Sequence, residues 1–381
     1  MPSAFIVDAI RTPIGKRNGS LRGWHPVDLS ALVVEALVRR SGVDPAEVDD
    51  VIWGCVSQTG EQGLNVARWV GLAAGLPEAV PGVSIDRQCG SSQQAVHFAA
   101  QGVMAGVYDI AIAGGVESMT RVPMGSTMQQ GPGLPFGSRV LGRYSLVPQG
   151  LSAEMVADRW GLTREALDAL SLESHRRSAR AVDEGRFATQ LVAVEGEAGS
   201  LAADEGLRRE TGLEALGALK PAFKPDGVVT AGNSSQIADG AGALLIASET
   251  AVARMAWQPL ARLTGFAVTG VDPVIMLTGP IPATAMVLER ASLGIGDVDL
   301  FEVNEAFASV VAAWTADTGA DPERVNANGG AIAVGHPLGA SGAILMTRLV
   351  HEMARTGARR GLQTMCEGGG TANATLVELA G

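Results

Sequence analysis

The chain has 381 residues, 46% hydrophobic and 18% charged, with a mean hydropathy of +0.19, which excludes global disorder and allows two or three well-cored units. Its 40 acidic and 29 basic side chains give a net charge of −11, so its overall field opposes coating nucleic acid or anionic membranes. Forty-nine glycines without a three-residue period exclude collagen and point to tight turns and close backbone approaches.

Residues 3–9 predict a strand, 28–41 a helix, 50–56 a strand, 65–75 a helix, 82–86 a strand, 90–106 a helix and 109–113 a strand. Such alternation of β-branched apolar runs with amphipathic stretches is the pattern of a sheet covered by helices. The rhythm breaks over residues 119–237, where 124–138 is turn-rich and reads as loop, followed by helices over 152–159 and 164–185. Base is concentrated here in an acidic chain: His175, Arg176, Arg177, Arg180 and Arg186, then Arg208, Arg209, Lys220 and Lys224. Solvated helix faces are one reading of these charges, and a phosphate-bearing ligand crossing the segment is the other. After residue 240 the alternation returns: strand 241–248 with a short helix after it, strand 259–269, helix 280–293, strand 298–303, helix 305–318, strand 325–328, helix 338–355, and strands 360–366 and 371–379. Two α/β halves of similar element order are expected. The N-terminal residues show no basic segment leading into a long apolar run, so no membrane insertion and a cytoplasmic location are expected.

Three cysteines, Cys55, Cys89 and Cys366, are too few and too odd for a disulfide framework, leaving free thiols to explain. Cys89 falls between a predicted strand and a helix beginning near Gly90, where unpaired amides and the positive end of the helix dipole are expected to lower a thiol pKa. Cys366 ends another predicted strand and precedes Gly368, Gly369 and Gly370, a run that brings amides close to a ligand and suits an oxyanion hole. Cys55 sits in an apolar run and reads as core. His336 is framed by Gly335 and Pro337, which fix the backbone ahead of a helix, and Asn304 follows the apolar run 298–303. Cys89, Asn304, His336 and Cys366 each lie just beyond a predicted strand's carboxyl end, where α/β sheets assemble their sites. Close Cys or His pairs are missing, so no metal centre is expected.

Six segments carry a resemblance to the thiolase family over essentially the whole chain. They are Gln88-Cys89-Gly90-Ser91-Ser92, Gly114-Gly115-Val116-Glu117-Ser118-Met119, Thr230 to Ser235, Asn304-Glu305-Ala306-Phe307, Gly335-His336-Pro337 and Cys366-Glu367-Gly368-Gly369-Gly370. The resemblance implies a thiolase fold: two similar five-stranded βαβαβαββ halves in layered α/β/α/β/α packing with an inserted covering loop domain. On that pattern, residues 1–118 with 238–258 form the N-terminal half, 119–237 the covering domain and 259–381 the C-terminal half. It further implies acyl-CoA and coenzyme A as substrates, no permanently bound cofactor, and a homo-oligomer, dimer or tetramer.

Residue by residue, the resemblance implies Cys89 as the nucleophile that accepts the acyl group, His336 as its base and Cys366 as the second acid/base. It implies His336 and a water held by Asn304 at the enolate oxygen, and the amides of Cys89 and Gly368 at the acyl oxygen. Ser235, Phe223 and Met276 are expected along the pantetheine, and Arg208 or Arg209 at a phosphate. Short-chain acetoacetyl-CoA thiolases usually carry a His-Met pair where this chain has Val147-Pro148-Gln149-Gly150, so it looks more like degradative 3-ketoacyl-CoA thiolases, including those taking bulky esters. Ser92 and Gln236 each replace a more usual glycine.

Three other readings compete. Biosynthetic acetoacetyl-CoA formation shares every residue above, whereas a ketosynthase would carry histidines in place of Asn304 and Cys366. A papain-like protease leaves the second positioned cysteine unexplained, and a non-enzymatic acyl-CoA binding protein would not need all four site residues.

Overall fold

The computed structural model describes residues 2–129, 131–196 and 199–380. Its principal strands are β1 (Ala4–Arg11), β2 (Asp50–Gly54), β3 (Gly82–Ile85), β4 (Ile110–Ser118), β5 (Ala238–Ser248), β6 (Ala261–Gly270), β7 (Leu300–Val303), β8 (Arg360–Glu367) and β9 (Thr371–Leu379). They lie side by side in the order β7-β8-β9-β6-β1-β5-β4-β2-β3. In the first half β1, β5 and β4 are antiparallel neighbours, and β4, β2 and β3 are parallel. The second half repeats that grammar with β6, β9 and β8 antiparallel and β7 parallel to β8. Its fifth position, expected as a strand over 325–328, is a single parallel bridge from Val325 to Phe301. Asn326 explains the shortfall: its side chain donates to Val303 O at 2.9 Å and accepts from Val303 N at 2.8 Å, taking the place of a backbone ladder.

Antiparallel pairing of Ala4, Phe5 and Ile6 with Leu263, Arg262 and Ala261 joins the halves through β1 and β6. Helices α1 (Pro26–Ser41) and α2 (Val66–Ala73) cover the outer face of the first half, where Leu29, Val33 and Leu37 pack with Val51, Trp53 and Leu245. Two buried helices, α3 (Ser91–Met104) and α8 (Ser341–Thr356), share one core with strands of both halves: Ala99, Val103, Met346 and Leu349 meet Ile6, Ile52, Leu263 and Val377. The outer face of the second half is covered by α6 (Pro280–Ala291) and α7 (Ala308–Thr318), through Val287 and Trp314 against Phe301 and Leu376. The layers therefore run helix, sheet, helix, sheet, helix.

Close approach in the central layer is licensed by glycine. A Cβ at Gly115 would lie 2.3 Å from the carbonyl oxygen of Gly339, and one at Gly342 would lie 2.2 Å from the Gln93 amide. Strand β4 therefore extends beyond the expected residue 113 to Ser118 and brings Glu117 beneath the turn that carries His336. That turn delays α8, which begins at Ser341 rather than 338. Helix α7 likewise starts at Ala308 rather than 305, because Glu305 turns inward to accept from Ser174 Oγ at 2.7 Å and Ile332 N at 3.1 Å.

Between β4 and β5 run helices α4 (Gln149–Trp160) and α5 (Arg164–Asp183). Arg177 and Arg186 on this stretch are neither solvated nor aimed at a ligand. Arg177 is buried and donates to Pro322 O at 3.1 Å and Val325 O at 2.6 Å. Arg186 donates to Asn328 Oδ1 at 2.8 Å and stands 3.6 Å from Glu352. Both fasten the segment to the second half of the molecule. Among the described residues no helix is long and apolar enough to cross a membrane.

Candidate active site

The site is built from both halves. Strand β3 ends at Ile85, and the chain reverses into α3 through Gln88, a non-glycine residue at φ +48°. A backbone in that region costs on the order of 1–3 kcal/mol and must be held. Asp86 Oδ1 accepts from the Gln88 amide at 2.7 Å, and Ser91 Oγ accepts from Arg87 N at 2.9 Å while donating to Gln88 O at 2.6 Å. The elbow delivers Cys89, buried, at the start of α3.

Here the sequence expectation is corrected. Burial pushes the Cys89 thiol up to about 12, and the neighbouring Glu367 adds to the rise; the amides of Cys89 and Gly368 act on the sulfur in the lowering sense but are outweighed. The first amides of the helix start, Gly90 N and Ser91 N, donate to Arg87 O and Gln88 O rather than to the sulfur, so the helix terminus does not produce a resting thiolate. Cys366, fully buried at the end of β8, is pushed up by burial, with Cys89 and Glu367 adding to the rise. The two thiols are thus near neighbours, and the Gly368 amide reaches over Cys89. Glu367 is itself raised to about 8 by burial, with one oxygen accepting from Thr371 Oγ1 at 2.6 Å.

His336 comes from the turn ahead of α8 and is buried. Its Nδ1 lies 2.6 Å from Ser341 Oγ, and that hydroxyl spends its one proton on Pro337 O at 2.9 Å. Ser341 therefore accepts, Nδ1 carries the ring proton, and Nε2 keeps its lone pair. Asn304 Nδ2 stands 3.3 Å from Nε2, in position to donate to it, and Asn304 Oδ1 has no partner among the described residues. Burial lowers the His336 pKa to about 4, so the imidazole is neutral near pH 7.

Cys89 and His336 line a cavity of about 150 Å³ together with Met119, Met124, Gln149, Phe223, Ser235, Ala306, Phe307 and Leu338. Phe223 and Phe307 meet edge to face at 6.1 Å between ring centres. Ser235 and Phe223 thus line the same cavity as Cys89. Met276 packs in the apolar cluster of Cys366, Phe307 and Val310. Arg208 lines an adjoining cleft, whereas Arg209 is turned to Asp183 at 2.8 Å. Cys55 is buried in the core of the first half, in keeping with its reading as packing.

Sequence reading missed three groups. Ser341 fixes the His336 tautomer, Glu367 lies beside both thiols, and Glu117 clamps the turn from below. The buried Glu117 carboxylate accepts from Val56 N, Ser57 N, Gln62 Nε2 and Gly339 N at 2.9–3.0 Å. Only Glu117 and Glu367 carried a sequence signal, as charged residues inside apolar or glycine-rich motifs. No group of metal-ligating side chains occurs among the described residues.

A buried thiol, a neutral imidazole of fixed tautomer and paired amides form the apparatus of acyl transfer. The chain matches the thiolase N-terminal domain over residues 4–250 and the thiolase C-terminal domain over residues 257–379. It is 50% identical to the steroid 3-ketoacyl-CoA thiolase FadA6 of Mycobacterium tuberculosis, over 99% of this chain and 94% of that protein. The 3-ketoacyl-CoA thiolase of Bacillus subtilis is 42% identical over the full length of both. The crystal structure of the Bacillus anthracis acetyl-CoA acetyltransferase superposes with a TM-score of 0.92 at 38% identity, covering 100% of this chain and 99% of that one. With both domain models matched in order and the fold shared from end to end, the chain belongs to the thiolase family.

Proposed function

We propose that this enzyme is a degradative 3-ketoacyl-CoA thiolase, an acyltransferase that cleaves 3-ketoacyl-CoA with coenzyme A to give acetyl-CoA and an acyl-CoA two carbons shorter. The observation that carries the reading is the placement of Cys89, with the Cys89 and Gly368 amides at its sulfur, in one cavity with a neutral His336. The 3-ketoacyl-CoA thiolases at 42–50% identity support the same activity.

In this reading the thiol is protonated at rest, so deprotonation accompanies attack. Nε2 of His336 takes the Cys89 proton as the sulfur bonds to C3 of the substrate, and the O3 anion meets the Cys89 and Gly368 amides. The C2–C3 bond then breaks. Its electron pair leaves on the acetyl-CoA enolate, whose oxygen is held by the protonated His336 Nε2 and the Asn304 side, and Cys366 delivers a proton to C2. In the second half-reaction the Cys366 thiolate takes the CoA thiol proton, CoA attacks the acyl carbon, and Cys89 leaves as thiolate and recovers its proton from His336. The first half-reaction leaves Cys89 acylated, His336 protonated and Cys366 as thiolate, and the second returns both thiols protonated and the imidazole neutral, the resting state that their pKa directions favour.

Residues 119–237 act here as a covering domain, since Met119, Met124, Gln149 and Phe223 close one side of the cavity. A volume of about 150 Å³ holds the reacting keto-thioester, so a longer acyl chain must leave past the exposed Met124. We assign the enzyme to the cytoplasm, with no resident cofactor, as a homo-oligomer through the edge strand β3. Leu64, Trp69 and Val83 stand exposed around that edge, the kind of apolar rim that a second copy covers.

The acetyl-CoA acetyltransferase name of the superposed neighbour favours a second reading, condensation of two acetyl-CoA. Relative kcat/KM for acetoacetyl-CoA, a 3-keto medium-chain ester and a sterol side-chain 3-ketoacyl-CoA separates the two. The degradative reading expects the longer esters to win; a preference of more than about tenfold for the four-carbon substrate refutes it. Cys89→Ala should abolish thiolysis, and mass spectrometry should find an acyl adduct on the Cys89 peptide of the parent enzyme alone; unchanged turnover in the variant refutes the mechanism.

A further inference from the structure

The last ladder pair between β8 and β9 is Glu367 with Thr371, and the three glycines between them make the turn, with Gly369 and Gly370 at φ +81° and +80°. Glycines have no side chains to hold such a shape, yet the Gly368 amide in this turn acts on the Cys89 sulfur. Glu367 supplies the support. It is fully buried, and one carboxyl oxygen accepts from Thr371 Oγ1 at 2.6 Å, a clip across the mouth of the turn. Its other oxygen, Oε1, lies against the start of α3. A Cβ at Gly90 would fall 1.9 Å from it, so the carboxyl keeps its place because residue 90 is glycine. Oε1 has no hydrogen-bond partner among the described residues. Around the carboxyl stand Arg87 on the elbow, the Cys89 thiol at the start of α3, the Cys366 thiol on β8 and Thr371 on β9, with Glu117 beyond Cys89. Arg87 favours the ionised carboxylate, but burial outweighs it and lifts the group to about 8. An unpartnered oxygen is costly on a buried carboxylate and much less so on a neutral acid.

We propose that Glu367 is a positioning residue that works as a neutral acid: it clips the glycine turn so that the Gly368 amide stays over Cys89, and its ionisation closes the working range on the alkaline side by setting a negative charge beside both thiols. This rests on the thiolase reading above, in which a thiolate forms at Cys89 and then at Cys366. A carboxylate at Glu367 meets each of them as a like charge, whereas the acid does not. Glu367 passes no proton to the substrate; it acts on the two sulfurs through its charge and on Gly368 through the shape of the turn.

Three readouts separate this role from simple packing. The parent's kcat/KM should fall about tenfold per pH unit above about 8. Glu367→Gln keeps an acceptor for Thr371 but cannot ionise, and its profile, scaled to its own maximum, should lack that limb. Alkylation of Cys89 by iodoacetamide at about pH 9, which needs no turnover, should be about tenfold faster in Glu367→Gln than in the parent. Thr371→Val removes the donor of the clip and keeps the titrating group: kcat should fall about tenfold with KM little changed, and the alkaline limb should stay. The same limb in the parent and in Glu367→Gln, or equal alkylation rates, overturns the charge role, and a parental kcat in Thr371→Val overturns the clip. Faster alkylation in Glu367→Gln, in an enzyme that turns over no 3-ketoacyl-CoA, would uphold the charge role and refute the thiolase reading.

Discussion

At the scale of the residue, a thiol near 12 and an imidazole near 4 do not exchange a proton until an electrophile arrives. Cys89 should therefore alkylate slowly with iodoacetamide near neutrality. Because neutral His336 is the working form and its folded pKa is depressed, activity should persist as pH falls through 6.5 and be lost only toward about 4. A kcat/KM profile from brief exposures to acid, with its limb at 6.5, would refute the assignment. Ser341→Ala removes the acceptor that fixes the ring proton on Nδ1, and kcat should fall about tenfold or more, with Ser341→Thr restoring much of it. An equal rise in KM would mean a merely structural role. Cys89, Asn304, His336 and Cys366 stood out in the sequence through their motifs; Cys89 and Asn304 do lie beyond the ends of β3 and β7, whereas Cys366 is inside the end of β8 and His336 follows the short helix Ala331–Val334 rather than a strand. Ser341 did not stand out, since it reaches His336 only through the fold of the turn between them, and Cys89 misled because a helix start suggests thiolate whereas burial decides the outcome.

Elements carry the site by close approach more than by length. Strand β4 and the turn at Gly339 touch where Gly115 lacks a side chain, and Glu117 on the same strand holds the Gly339 amide at 2.9 Å. Gly115→Ala should cost about 1–3 kcal/mol by overpacking and lower the melting temperature accordingly. It should also depress kcat, because the displaced turn bears His336; a variant that loses stability but keeps full kcat would separate the turn from catalysis. The alternating pattern made most strands and helices readable, including the similar order in both halves. The bridge at Val325 escaped, since a side chain substituting for a ladder leaves the apolar pattern of a strand intact. Contacts such as Glu117 to Gly339 span 222 residues and leave no local trace.

For the molecule as a whole, the exposed rim at β3 makes association the expected state. Leu64 is 88% exposed and Val83 45% exposed beside an unpaired strand edge. Val83→Lys should shift the mass measured by light scattering toward the single chain, since charge on an edge blocks strand pairing. An unchanged mass would place the contact elsewhere. The pairing of Ala4, Phe5 and Ile6 with Leu263, Arg262 and Ala261 has a different bearing. Cys89 belongs to one half and His336 and Cys366 to the other, yet this ladder and the shared central helices tie the halves together. A jaw-like spreading of the halves would have to break this ladder and open the shared core of α3 and α8. On the proposed function a thioester would instead be threaded past Phe223 and Ser235, which line the cavity with Cys89, and the ease of threading and withdrawal would bear on turnover.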